Sequence, residues 1–186
     1  MLIKKTTINY KSRWLSHRGS TTTKSSGQTQ KLGETLAKKI LKLPTGKGAV
    51  VFGLSGNLGG GKTTFLQGVA KGLKIKEKIL SPTFVIMKRF HIPDSTFHNF
   101  YHIDCYRLKD EKDILELDFK SIISNPKNIV AIEWPERIYP VEFAEGNVLQ
   151  KAKRFNRGKK TLSPPTFIIR FKFIDRDKRE IIIKNC

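Results

Sequence analysis

Residues 56–63, GNLGGGKT, constrain this chain most, because four glycines in eight residues admit backbone that other side chains forbid. The stretch fits the pattern G-x-x-x-x-G-K-[ST]. Glycine lets successive N–H groups turn toward one point and approach a ligand closely, which makes an anion-binding nest. A lysine placed like Lys62 reaches the β- and γ-phosphates of a nucleotide, and a hydroxyl placed like Thr63 ligates Mg²⁺. The flanks have the matching form. Residues 49–54 are a short apolar run of buried-strand type. Phe65, Leu66, Val69, Ala70 and Leu73 follow at helical spacing until Gly72 weakens the pattern. Strand, glycine loop and helix N-terminus together point the helix dipole and its unbonded N–H groups at an anion. The competing reading is a glycine-rich turn that binds nothing; the flanks argue against it.

The 186 residues make one domain with room for a core, and hydrophobic residues form 38% of them. No apolar run reaches the roughly 20 residues of a membrane span, and no secretory apolar segment stands near residue 1. Cys105 and Cys186 lack metal-ligand spacing, so a reducing cytoplasm is the expectation, with no membrane attachment. Thirty-six Lys and Arg against 16 Asp and Glu leave a net charge of +20. Such a field attracts nucleic acid, nucleotides and acidic partners. A solvated lysine-rich surface is the equal alternative.

Up to Lys31 the chain has seven basic residues and no acid, with frequent Ser and Thr. That composition suits an organellar transit peptide, a basic arm without fixed structure, or a start codon placed too far upstream. Parts of it also suit an edge strand. We expect residues 1–24 to be a poorly ordered extension and residues 25–186 to form the domain. A helix is expected over about 28–43, with Ser25 and Gln28 at capping-box spacing. Its stripe is Leu32, Leu36, Ile40 and Leu41, and Pro44, Gly46 and Gly48 end it.

Residues 84–87 read as a strand entered at Pro82. Ser81 and Thr83 before it are either a polar strand start or switch-like hydroxyls that sense a γ-phosphate or Mg²⁺. A hairpin connection over 91–97 leads to the strand around Asp104. There Tyr101, Ile103 and Cys105 alternate with His102, Asp104 and Tyr106. An acid late in a strand is a Mg²⁺-site position in an α/β nucleotide fold; a salt bridge to Arg107 or a turn cap is the plainer reading. Residues 110–124 suit one helix with an acidic face. Residues 129–133, IVAIE, form an apolar strand ending in a carboxylate. Beside a phosphate loop, Glu133 can hold Mg²⁺ or polarise water. Residues 151–160 carry six basic residues and no acid, as a solvated loop or as a phosphate-contacting one with Phe155 to stack on a base. Residues 166–173 and 180–183 read as a C-terminal hairpin.

Four signals thus stand in order: GNLGGGKTTF, SPTF, HIDCYRL and AIEWPE. As a set they resemble the TsaE family (formerly YjeE), small bacterial ATPases needed to make threonylcarbamoyl-adenosine in tRNA. The resemblance covers about residues 25–140 and, loosely, the final hairpin. It implies an α/β fold: a single P-loop NTPase-like domain with a central mixed sheet flanked by helices and a C-terminal β-hairpin. It implies ATP and Mg²⁺ as cofactors, slow hydrolysis, and the proteins TsaB and TsaD as partners. By motif position, Thr63 and Glu133 match the family's Mg²⁺ ligands, Asp104 its HxDxYR aspartate, and Trp134 the tryptophan after the acid. Lys62, Asp104 and Glu133 are then the catalytic candidates, with the division of metal and water roles between the two acids left open. Nucleotide contacts are expected from Gly59, Gly60, Gly61, Lys62, Thr63 and Thr64. Ser26, Lys178 and Arg179 are expected to flank the base. Asn57 stands where the family usually has an acid, and Gly60 where it has alanine. Residues 145–165 are longer and more basic than the family's connection, which leaves tRNA contact through basic segments open. The rival readings are a P-loop kinase acting on a small molecule and a nucleic-acid-binding module with a vestigial loop. A GTPase is disfavoured, since no N-K-x-D motif is present.

Overall fold

The computed structural model describes residues 19–82, 84–109, 111–139 and 166–185. They form an α/β domain built on a seven-stranded mixed sheet in the order β1-β7-β6-β2-β5-β4-β3. The strands are β1 Gly19–Thr23, β2 Val50–Gly56, β3 Met87–His91, β4 Asn99–Asp104, β5 Asn128–Glu133, β6 Phe167–Phe173 and β7 Arg179–Asn185. Strands β6, β2, β5 and β4 run parallel, while β3, β7 and β1 add antiparallel edges. The last two strands form the expected C-terminal hairpin.

Helices cover both faces, so the central strands read as continuous apolar runs. Helices α1 (Ser26–Ile40) and α2 (Lys62–Gly72) pack on one face, over Phe52, Leu54, Phe100 and Ala131. Helices α3 (Glu111–Leu115) and α4 (Phe119–Ser124) cover the other, over Val51, Ile103, Val130 and Ile132. Alternate residues of β5 feed the two cores, and all six residues of that strand are buried.

The backbones of α1 and α2 approach closely. A Cβ on Gly68 would lie 1.9 Å from the Gln30 carbonyl oxygen, and one on Gly33 2.2 Å from that of Phe65. Helix α2 runs through Gly72, whose glycine also meets this packing requirement: a Cβ there would come within 2.6 Å of the Glu34 carbonyl oxygen.

Several local expectations need correction. The capping helix begins at Ser26 and ends at Ile40; Ser25 Oγ accepts from the Gln28 N–H, but the Gln28 side chain reaches back to the Lys24 N–H instead of closing on Ser25. The expected strand start at Phe84 is a turn: the Val85 and Ile86 N–H groups both donate to Pro82 O, and pairing begins only at Met87. The expected helix over 110–124 is two short helices broken at Asp118, which takes φ +55°. Aspartate tolerates that left-handed backbone better than most residues. The break lets Phe119 and Ile122 join Ile114 in one buried cluster. Residues 19–23 of the basic N-terminal stretch form the edge strand, paired with β7. Residues 1–18, Thr83 and the basic run 151–160 lie outside the described residues.

Enlarging Gly68 tests the helix contact. Gly68→Ala is expected to lower unfolding stability by about 1–3 kcal/mol through overpacking. Urea denaturation reads this, and an unchanged midpoint would contradict the close approach.

Candidate functional site

The carboxyl ends of the parallel strands meet on one edge of the sheet. Register pairs Leu54 of β2 with Glu133 of β5, and Glu133 with Asp104 of β4. The glycine loop leaves β2 at that edge and feeds straight into α2. Gly56, Gly59 and Gly61 all have positive φ, the last two at +71° and +97°. Gly56 is required by sterics as well, because a Cβ there would lie 2.2 Å from Phe171 O of the neighbouring strand.

Lys62 opens α2 and is buried. Its ammonium donates to Gly56 O at 2.7 Å and Asn57 O at 3.0 Å, and stands 4.0 Å from the centroid of the Trp134 ring. Burial pushes the Lys62 ammonium below its ordinary pKa, and the charges of Glu133, Glu136 and Asp104 oppose that shift. Thr63 Oγ1 donates to Glu133 Oε1 at 3.0 Å. Asp104 is held on both oxygens: Ser81 Oγ donates to Oδ2 at 2.8 Å and the Tyr106 N–H to Oδ1 at 3.0 Å. His102, fully buried on β4, places Nε2 2.9 Å from Glu133 Oε1.

These groups line a cavity of about 470 Å³. Gly59, Gly60, Gly61, Lys62, Thr63 and Thr64 are among the lining residues. Ser81, Asp104, Glu133 and Trp134 line it as well, as do Ser26 and Arg179. Lys178 is not among the lining residues; it pairs with Asp175 at 3.1 Å, in the turn before β7. Arg179 instead carries the turn's charge to the site. Its guanidinium donates to Arg176 O at 2.9 Å, and its Cδ would lie 3.6 Å from a Cβ on Gly61.

Thr29, Leu58, Tyr106, Arg176 and Asp177 also line the cavity, and sequence reasoning did not select them. His102 was passed over too, although it stands two residues before Asp104 in a strand, a spacing that puts both on one face.

The donor set suits a polyphosphate with a hard divalent cation. Loop N–H groups and a helix N-terminus supply anion donors. Thr63 and Glu133 offer oxygens, the donors Mg²⁺ prefers. Thr63 Oγ1 donates to Glu133 Oε1, which leaves the hydroxyl lone pairs and the other carboxylate oxygen for a cation. Among the described residues no group of three His, Cys, Asp or Glu side chains forms a metal cage. Mg²⁺ at phosphates uses one or two carboxylates with water and phosphate oxygens, so this sparse set fits.

The fold and site define a P-loop NTPase-like α/β domain with a glycine loop facing two strand-end carboxylates. Comparison with known proteins narrows this. The family model described as Threonylcarbamoyl adenosine biosynthesis protein TsaE matches residues 23–161, and the chain belongs to that family. Proteins named tRNA threonylcarbamoyladenosine biosynthesis protein TsaE resemble it at 42% identity over 113 residues in Nostoc sp. and 36% over 109 residues in Haemophilus influenzae. Each of these alignments covers 58% of this chain, and they span 59% and 65% of the two relatives' lengths. The Aquifex aeolicus protein of that name is 35% identical over 129 residues, covering 68% of this chain and 84% of the relative.

Glu136 gives the site a pH signature. Burial raises its carboxyl above the ordinary value of 4.5, with its own backbone N–H and the Lys62 charge pulling the other way. A raised acid binds its proton more tightly folded than unfolded, so its stabilising contribution is complete below that ordinary value and is lost as pH rises through the raised one. Glu136→Gln lacks this loss. Its melting temperature, relative to the unaltered protein, is expected to climb across that window; a pH-independent difference would contradict the shift.

Proposed function

We propose that this chain is a Mg²⁺-dependent ATPase acting in threonylcarbamoyl-adenosine modification of tRNA, in the cytoplasm and in association with TsaB and TsaD. The observation that carries the proposal is the Thr63–Glu133 contact at the mouth of the glycine loop, beside the buried Lys62. The family's name supports the pathway. Among the described residues no helix is long and apolar enough to cross a membrane.

In this reading the N–H groups of residues 59–64 cradle the phosphates. Lys62 leaves its carbonyl partners for phosphate oxygens and offsets charge that develops on the transferred group. Thr63 and Glu133 would hold Mg²⁺, which supplies neutralisation of the β- and γ-phosphate oxygens when bound. Asp104 is fixed by Ser81 and by the Tyr106 N–H in an orientation suited to ordering a water at the cavity. Trp134 covers the lysine and packs at a tilt against Tyr106, with ring centroids 5.1 Å apart, which limits water around the ammonium. Arg179 and Ser26 also line the cavity, and in this reading they flank the base.

ATP hydrolysis measured with and without TsaB–TsaD and tRNA tests the reading. Lys62→Ala is expected to abolish turnover, and unimpaired turnover in that variant would refute the loop's role. Glu133→Ala is expected to lose Mg²⁺-dependent turnover by about a hundredfold, with nucleotide affinity changed far less. An unchanged rate would remove Glu133 from the mechanism.

A further inference from the structure

Glu133 can serve a cation only if its carboxylate is held still, and the contact that holds it comes from β4. A carboxylate accepts and does not donate, so the His102 Nε2–H and the Thr63 hydroxyl both donate to it, at 2.9 and 3.0 Å. Both donors sit on Oε1. The second oxygen of Glu133 is thereby the one left for the cavity that this residue lines.

His102 is a poor choice for packing alone. It is fully buried, and its Nδ1 has no hydrogen-bond partner among the described residues. A leucine or phenylalanine would fill that volume without an orphaned polar atom. The sheet supplies the reason for its position. His102 pairs in register with Ala131, two residues before Glu133, so the imidazole lies on the same face as the carboxylate. Ala131 opposite it is small, which leaves the ring room to lean along the strand toward Glu133. Thr63, the other donor, stands at the start of a helix beside a loop that must adapt to a ligand. His102 stands within a strand paired on both sides.

We infer that His102 is a positioning residue: its Nε2–H locks the Glu133 carboxylate in the rotamer that presents one oxygen to a divalent cation at the glycine loop. The inference rests on the Mg²⁺–nucleotide reading above, and it concerns a residue that touches neither nucleotide nor cation. Outer partners of this kind tune metal affinity by about 10- to 100-fold.

The test is a Mg²⁺ titration of fluorescent ATP-analogue binding to the full chain, with a thermal melt of each variant. His102→Leu keeps the volume and removes the donor; His102→Gln keeps an N–H donor of similar reach. For the Leu variant the Mg²⁺ midpoint is expected to rise about tenfold or more, with affinity for the Mg²⁺-free analogue within about twofold of the unaltered protein. The Gln variant is expected to recover most of the loss. Should the Leu variant not fold, His102→Asn, whose amide stops short of Glu133, carries the same expectation. A Leu or Asn midpoint equal to that of the unaltered protein overturns the inference, as does a Gln variant no better than they are. If the unaltered protein binds the analogue with no Mg²⁺ dependence, the ATPase reading fails first and the inference falls with it.

Discussion

Strand β5 lies between β2 and β4, parallel to both, and this register determines everything at the edge of the sheet. It sets Glu133 beside Leu54 on one side and Asp104 on the other. Two residues beyond Leu54 the chain becomes the glycine loop. A slip of one residue in either pairing would turn Glu133 or Asp104 to the opposite face, away from α2. Packing on both faces opposes that slip, since Ile129 and Ala131 fill one core and Val130 and Ile132 the other, and a shift would exchange side chains of different volume. Hydrophobic packing on two faces thus fixes the placement of two charged groups at their common border.

The loop depends on close backbone approach in the same way. Phe171 O of β6 excludes any side chain at Gly56, so the chain must turn where the glycine stands. Behind the loop, Gly33 and Gly68 let α1 and α2 touch through backbone, and Phe65 packs edge-on against Phe171 with ring centroids 5.6 Å apart. The helix N-terminus therefore rests on rigid support. Burying Lys62 there costs free energy, as its lowered pKa records, and nearby acids offset part of that cost. A buried ammonium held by two carbonyl oxygens and an indole face is poised to exchange those partners for stronger anionic ones.

Much of this was legible in the sequence because the signals are local. The loop is a glycine pattern with apolar flanks; β2 and β5 are apolar runs; the terminal hairpin is two strands about a polar turn. The motifs also singled out Asp104 and Glu133, which the register sets side by side at the ends of β4 and β5. What could not be read depends on distant contacts. The break at Asp118 follows from the need to bury Phe119 with Ile114, which helical periodicity over 110–124 does not reveal. Phe84 and Val85 look like strand residues but are exposed, because their N–H neighbours turn back on Pro82. Gly72 looks like a weakness in a helix until α1 is seen against it. His102 shares a face with Asp104, yet its partner is an acid on another strand. Arg179 lines the cavity while Lys178 is tied to Asp175 in the turn before β7, an ion pair that the sequence does not reveal.

The central claim is that the glycine loop, Lys62, Thr63 and Glu133 act together on a nucleoside triphosphate carrying Mg²⁺. Calorimetric titration of the unaltered chain with ATP, in Mg²⁺ and then in excess chelator, tests it most directly. The account predicts one nucleotide bound per chain, with affinity that falls when the cation is removed. Absence of binding heat at millimolar ATP in both conditions, together with no competition against a fluorescent analogue, would contradict it.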